Sequence, residues 1–264
     1  MSGFFIFKQL SNMKIVAPKN IYSSIFLSAL ATSAELEINF KESALIAKEL
    51  ESNTSSIGII PTLDLLKNQH LFVSSKAAIS FDGILSNSYL YFAGSQIKPE
   101  KVFLRGDISL NEIILSKILF SERFSSQVEV SLDASALPEI GRNYIIVGDD
   151  NHNHWDTEKG LSLSDQIAEM LDLPYVNFTF ASRDKEILAE FNKLMDGIDN
   201  RIDEQIDSYI ENLNYTEKTK SFIKNNLSSV YFEMTENEII AVNELVKLIY
   251  YHGIVDDMFD VKFV

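Results

Sequence analysis

No cysteine occurs among the 264 residues, which excludes disulfides, thiolate nucleophiles and thiolate metal sites. Basic residues are scarce too. Lys and Arg number 23 against 38 Asp and Glu, a formal net charge of −15. No cluster of them is long enough to follow a phosphate backbone or an anionic lipid surface, so neither nucleic acid nor membrane is expected as a partner. There is no run approaching the ~20 apolar residues of a membrane span. A Gly-rich phosphate loop, a serine nucleophile elbow and a Cys/His pair are likewise missing. The opening MSGFFIFKQLSNMKIV has no basic n-region, and its apolar stretch at 4–7 is shorter than a signal core of about 7–15 residues. Residues 1–12 are therefore expected to be an extension ahead of the first strand, in a soluble, cytoplasmic monomer or homodimer.

What is present is ample apolar material, 46% of the residues, arranged in alternating short runs. KIVAP at 14–18 is a buried strand ended by proline, and 20–32 is a helix capped by Asn20 with Ile21, Ile25, Ala29 and Leu30 on one face. LEINF at 36–40 returns to strand, 41–51 to helix with Leu45, Ile46, Ala47 and Leu50 inward, and SIGIIP at 56–61 to strand. Thr62 is placed to start a short helix. This is the rhythm of an open α/β sheet. It breaks at 74–92, SSKAAISFDGILSNSYLYF, where two strand-like runs follow one another with more polar residues between them than a hairpin needs. Strand, helix, strand and strand resume at 101–105, 109–120, 126–130 and 143–149, then a helix at 161–173 and the strand YVNFTF at 175–180. From 183 onward the pattern is helical. Thr235 and Glu238 form a capping box ahead of the last helix, and Gly253 follows its final turn.

Two α/β segments joined by long strands imply two lobes with a ligand cleft between them. The first lobe is expected to be discontinuous, 13–92 plus 178–264, and the second to be 93–177. Ligands in such sheets sit at the carboxyl ends of strands, beside helix N-termini. The polar residues of 80–88 would then line the cleft where the chain crosses between lobes.

The succession GIIPTLDLL, ISFDGILSNSYLYF, a polar helix start, IIVGD and SLSDQIAEMLDLPYVNFTFASR resembles the futalosine-pathway menaquinone-biosynthesis enzymes, the chorismate dehydratases in particular. The closing YFEMTENEIIAVNELVKLIYYHGIVDDMFDVKF is similar to that family's last helix and tail. The resemblance spans nearly the whole chain from Met13 and rests on the order of the segments rather than on one motif. It implies an α/β, two-lobed periplasmic-binding-protein-like fold of type II, and removal of water from chorismate without metal or organic cofactor. It also implies site roles. In the family a loop asparagine after the first strand serves the reaction; in APKNIYSS, Tyr22 stands at that place with Asn20 two residues earlier, so these two are the catalytic candidates. A Ser/Thr helix start that holds a substrate carboxylate in the family is here DISLNE, with Ser109, Asn111 and Glu112. Thr62, Ser80, Ser86 and Asp149 complete the expected substrate-binding set.

Each has a plainer reading. Thr62 also suits a helix cap after Pro61, and Ser80 and Ser86 ordinary strand polarity. Asp82-Gly83 reads as a turn. A carboxylate at Glu112 steadies a helix start, yet if it faced a ligand anion at ~4 Å it would cost about 1–4 kcal/mol. DDNHNHWD at 149–156 places His152, His154 and Asp156 together, but a loop rich in Asp and Asn is the simpler account and no metal is expected. His252 suits the end of the last helix, and 199–211 a solvated charged face. Two functions stay open: a dehydratase acting on chorismate or a related cyclic carboxylate, and a non-catalytic small-molecule binding protein of the same fold. A dihydroxynaphthoate-forming relative is a third.

Overall fold

The computed structural model describes residues 12–94 and 99–264, so the expected extension lies almost wholly outside the described residues. The alternation read from the sequence builds β1 (Asn12–Pro18), α1 (Ile21–Leu30), β2 (Glu35–Lys41), α2 (Ser43–Ser52) and β3 (Ile57–Pro61). A 3-10 turn, Thr62–Leu66, follows at once. Then β4 (Phe72–Phe81) and β5 (Ser88–Tyr91) run in succession, and they part company. β4 belongs to one sheet and β5 to another.

The second sheet continues with β6 (Lys101–Gly106), α3 (Leu110–Phe124), β7 (Glu129–Leu132), β8 (Tyr144–Val147), the short α4 (Asp150–His154), β9 (Leu161–Ser162) and α5 (Leu163–Leu171). β10 (Tyr175–Ser182) returns to the first sheet, followed by α6 (Lys185–Asn192), α7 (Ile198–Glu211), α8 (Glu217–Asn226), β11 (Val230–Glu233), α9 (Glu236–Tyr251) and β12 (Lys262–Phe263).

The two sheets share one plan. In the first the order is β2-β1-β3-β10-β4-β11, in the second β7-β6-β8-β5-β9. In each, the first parallel strand lies between the second and third, and a strand arriving from the other sheet pairs antiparallel with the third. This is a two-lobed α/β architecture. The chain passes out between Phe81 and Ser88 and back between Leu171 and Tyr175.

Burial explains the elements. β3, β8 and β10 are buried along their whole length and read as unbroken apolar or small-residue runs, as strands covered on both faces must. α1 is buried nearly all round, with Phe26 tilted against the Phe180 ring and stacked near Phe232. α2 shows Leu45 to solvent, contrary to expectation, while Ile46, Ala47 and Leu50 go inward. The purely helical reading of the C-terminal third is corrected. β11 pairs with the end of β4 and β12 with its beginning. Nor is α7 only a solvated face. Ile198, Ile202 and Ile210 are buried, and the Asp199 carboxylate accepts the Phe232 N–H at 2.9 Å, tying the helix to β11. No helix among the described residues is long and apolar enough to cross a membrane.

Candidate functional site

The carboxyl ends of β1, β2 and β3 deliver the starts of α1, α2 and the 3-10 turn to the interlobe face. From the other side come the starts of α3, α4 and α5 and the crossing segment at 82–87. Helix starts present unpaired N–H groups and a partial positive charge, so a cleft so built is disposed toward acceptors. In this chain each acceptor is its own.

The Asp149 carboxylate accepts the Ile21 N–H of α1 at 2.9 Å. Asp107, just past β6, accepts both the N–H and the hydroxyl of Ser43 at the start of α2, at 2.8 and 2.6 Å. Asn111, on the first turn of α3, accepts the Leu63 N–H of the 3-10 turn at 2.9 Å. Its amide also donates to the backbone oxygen and side chain of Asn177 on β10, at 2.8 and 2.7 Å. Three helix starts of the first lobe are thus met by three side chains of the second.

The remaining candidates fall into place around this contact. Both carboxylate oxygens of Glu112 are engaged within the protein. One carboxylate oxygen closes the capping box on the Ser109 N–H and hydroxyl, at 2.9 and 2.7 Å, and the other accepts the Ser88 hydroxyl at 2.9 Å. Burial raises its carboxyl above the usual range, against the downward pull of those hydrogen bonds. Ser86 is a hub: its hydroxyl oxygen accepts the Ser88 and Ser164 N–H groups at 3.0 and 3.2 Å. Tyr22 sends its hydroxyl to the Ser86 carbonyl at 3.1 Å, and burial holds that phenol well above its ordinary pKa. The Thr62 hydroxyl donates to the Val176 carbonyl at 2.7 Å, and that of Ser80 to the Tyr231 carbonyl at 3.3 Å. Asn20 caps α1 by accepting the Ser23 N–H at 2.8 Å, but its amide nitrogen is buried without a partner among the described residues. The Asn87 side-chain oxygen on the crossing segment is likewise unpaired there.

Beside the Asp107 contact the cleft opens into a groove of about 520 Å³, bordered by Lys19, Phe40, Lys41 and Ile108. That is within the range of small-molecule sites. Most of the DDNHNHWD segment, Asp150–His154, forms α4. His152 is buried against the Tyr215 ring, which pushes its imidazole down to about 4, while His154 lies exposed beside Asp150. No group of three or more His, Asp or Glu among the described residues is placed to hold a metal. His252 pairs with Glu122 of α3 at 3.3 Å, so it joins the lobes at the end of its helix.

Sequence reading passed over Asp107, Asn177, Ser164 and Asp64. Asp64 lies in the 3-10 turn, where burial and the nearby Glu112 push its carboxyl up to about 7. A signal for Asp107 did exist, an acid directly after the Gly that ends a strand, in RGDIS.

No protein-family model and no curated protein matches the sequence. Solved structures do match the fold. Protein AF1704 from Archaeoglobus fulgidus superposes with a TM-score of 0.63 at 14% identity, over 92% of this chain and 98% of its own. The Candida albicans CA3427 product, which defines a new family with the generic periplasmic binding protein fold, gives 0.64 at 11% identity, over 96% and 94%. The periplasmic aliphatic sulphonate binding protein of Escherichia coli gives 0.57 at 12% identity, over 96% of both. The chain has the periplasmic-binding-protein fold that the resemblance implied.

Proposed function

We propose that this chain is a non-catalytic small-molecule binding protein that uses its interlobe cleft as a recognition site and carries out no dehydration. The observation behind this reading is the engagement of the cleft's polar side chains with one another. Asp149 and Asp107 are bound to helix starts, Glu112 to its own capping box, and Tyr22 to the Ser86 carbonyl. A dehydratase must draw a ring proton away and assist the leaving hydroxyl. In this cleft the carboxylates of Asp107, Asp149 and Glu112 already have partners. The carboxylates of Asp107 and Asp149 also disfavour a dianion such as chorismate at the helix starts. Support for binding comes from the groove of about 520 Å³ and from the likeness in fold to a sulphonate-binding protein. The division into a discontinuous first lobe and a continuous second one is part of this reading.

One observation favours the dehydratase reading instead. The Asn20 amide nitrogen has no partner at the start of α1, and a donor there suits a leaving hydroxyl. Chorismate incubated with the purified protein and followed by mass spectrometry separates the two. Chorismate unchanged beside a working dehydratase is the expected result, and a product lighter by one water overturns it. In parallel, a thermal-shift screen of small acids and neutral metabolites should yield a binder. At 100 times its Kd a ligand adds about 2.7 kcal/mol, a rise in Tm of roughly 5–10 °C for a chain of this size.

A further inference from the structure

Two helix starts that the first lobe turns toward the cleft have no cap of their own. Glu42 precedes α2 and Pro61 precedes the 3-10 turn, and neither side chain caps the N–H groups that follow. In the second lobe α4 also lacks a side-chain cap, but α3 and α5 carry theirs. Ser109 caps α3 with a complete capping box, and Ser162 caps α5 by accepting the Asp165 N–H at 3.0 Å. These two missing caps are supplied across the cleft, by Asp107 for α2 and by Asn111 for the 3-10 turn. α1 has a local cap in Asn20, and Asp149 still takes its first N–H.

We propose that Asp107, Asn111 and Asp149 are built-in ligands, which occupy the helix starts of the first lobe and hold the two lobes closed in place of a bound anion. Two of the three acceptors are carboxylates on helix starts, the arrangement in which charge-assisted hydrogen bonds and the helix dipole act together. The Asp107 contact is bidentate in effect, since one carboxylate takes both the N–H and the hydroxyl of Ser43. Asn111 fixes the third point and is itself held by Asn177 on the returning strand. The outer contacts between lobes are of another kind. Lys218 reaches Asp156 and Glu158 at 3.0 Å, and His252 reaches Glu122, all on or near the solvated rim where such pairs contribute little. The inner three are therefore the polar fastening of the closed state, set beside an apolar core that both lobes share. A ligand entering the cleft competes with carboxylates already seated there, so affinity for an external anion is reduced by the fraction of molecules held shut. None of this depends on which ligand binds, or on whether chemistry follows.

The absence of cysteine permits a direct test. Lys48→Cys on α2 and Lys117→Cys on α3 place one spin label on an exposed position of each lobe, and pulsed electron resonance reads the distance between them. In the otherwise unaltered chain, without ligand, one narrow distance is expected. Asp107→Ala with Asp149→Ala removes two charged acceptors and should move the open-to-closed ratio by about a hundredfold, giving a longer and broader distribution. Ser43→Pro makes the same test from the other lobe. It deletes both donors that face Asp107, at a first helical position where proline is well tolerated, so the fold is kept even if the double alanine variant is unstable. A broad distribution in the unaltered chain overturns the proposal, as does a folded variant with the narrow distance unchanged. A small-acid screen that finds no binder leaves this result standing, whereas unchanged distances in the variants refute the latch whatever binds.

Discussion

At the scale of single residues, the same side chain can serve a ligand or a neighbour, and composition does not say which. Asn111 and Glu112 were legible as polar groups at a helix start that faces the cleft. Their partners were not, because Leu63, Asn177 and Ser88 are distant in sequence and are brought near only by the crossing strands. Asp64 went unnoticed for a related reason: an acid in a short apolar turn is ordinary until the far lobe buries it. Its consequence is measurable. Its carboxyl lies at about 7, raised first by burial and next by Glu112. The folded chain then holds the proton more tightly than the unfolded chain, so stability from this group is full below about pH 4 and is lost as pH rises through 7. Asp64→Asn should exceed the parent by about 4 kcal/mol in urea unfolding at pH 8 and come close to it at pH 4. An equal difference at both pH values would show that the effect is not titration.

At the scale of elements, periodicity placed nearly every strand and helix as far as β10, since buried runs and local caps are properties of neighbouring residues. α9 is the clearest instance. Thr235 accepts the Asn237 N–H and binds Glu238, which reaches back to the Thr235 N–H at 2.8 Å, and Gly253 leaves the helix with φ +66°. Thr235→Ala should lower stability by about 1 kcal/mol in chemical denaturation without changing the slope; a loss under ~0.3 kcal/mol would mean the box is ornamental. What sequence did not reveal were β11 and β12. They are four and two residues long, and each exists only because β4 offers it an edge. Short strands of that kind carry little pattern of their own.

At the scale of the whole molecule, the two-lobed plan was readable from the succession of elements, and the self-contained bonding of the cleft was not. The excess of acid acts at this scale as well. A net charge of −15 repels itself in the compact state, whereas the exposed ion pairs are individually weak. Screening should therefore help more than it harms, and Tm should rise by about 2–4 °C between 20 and 300 mM NaCl. A fall over that range would mean that the rim pairs between lobes outweigh the repulsion.

The position of β10 governs the order in which the chain can become ordered. It lies between β3 and β4, so these two strands lack the partner that separates them until residue 182 has been made. The second sheet, complete at Ser162, meets no such delay. From the end of β4 at Phe81 to the end of β10 at Ser182 are 101 residues (182 − 81), roughly 5–20 s of synthesis. During that interval the part of the protein made first has to wait for the part made later.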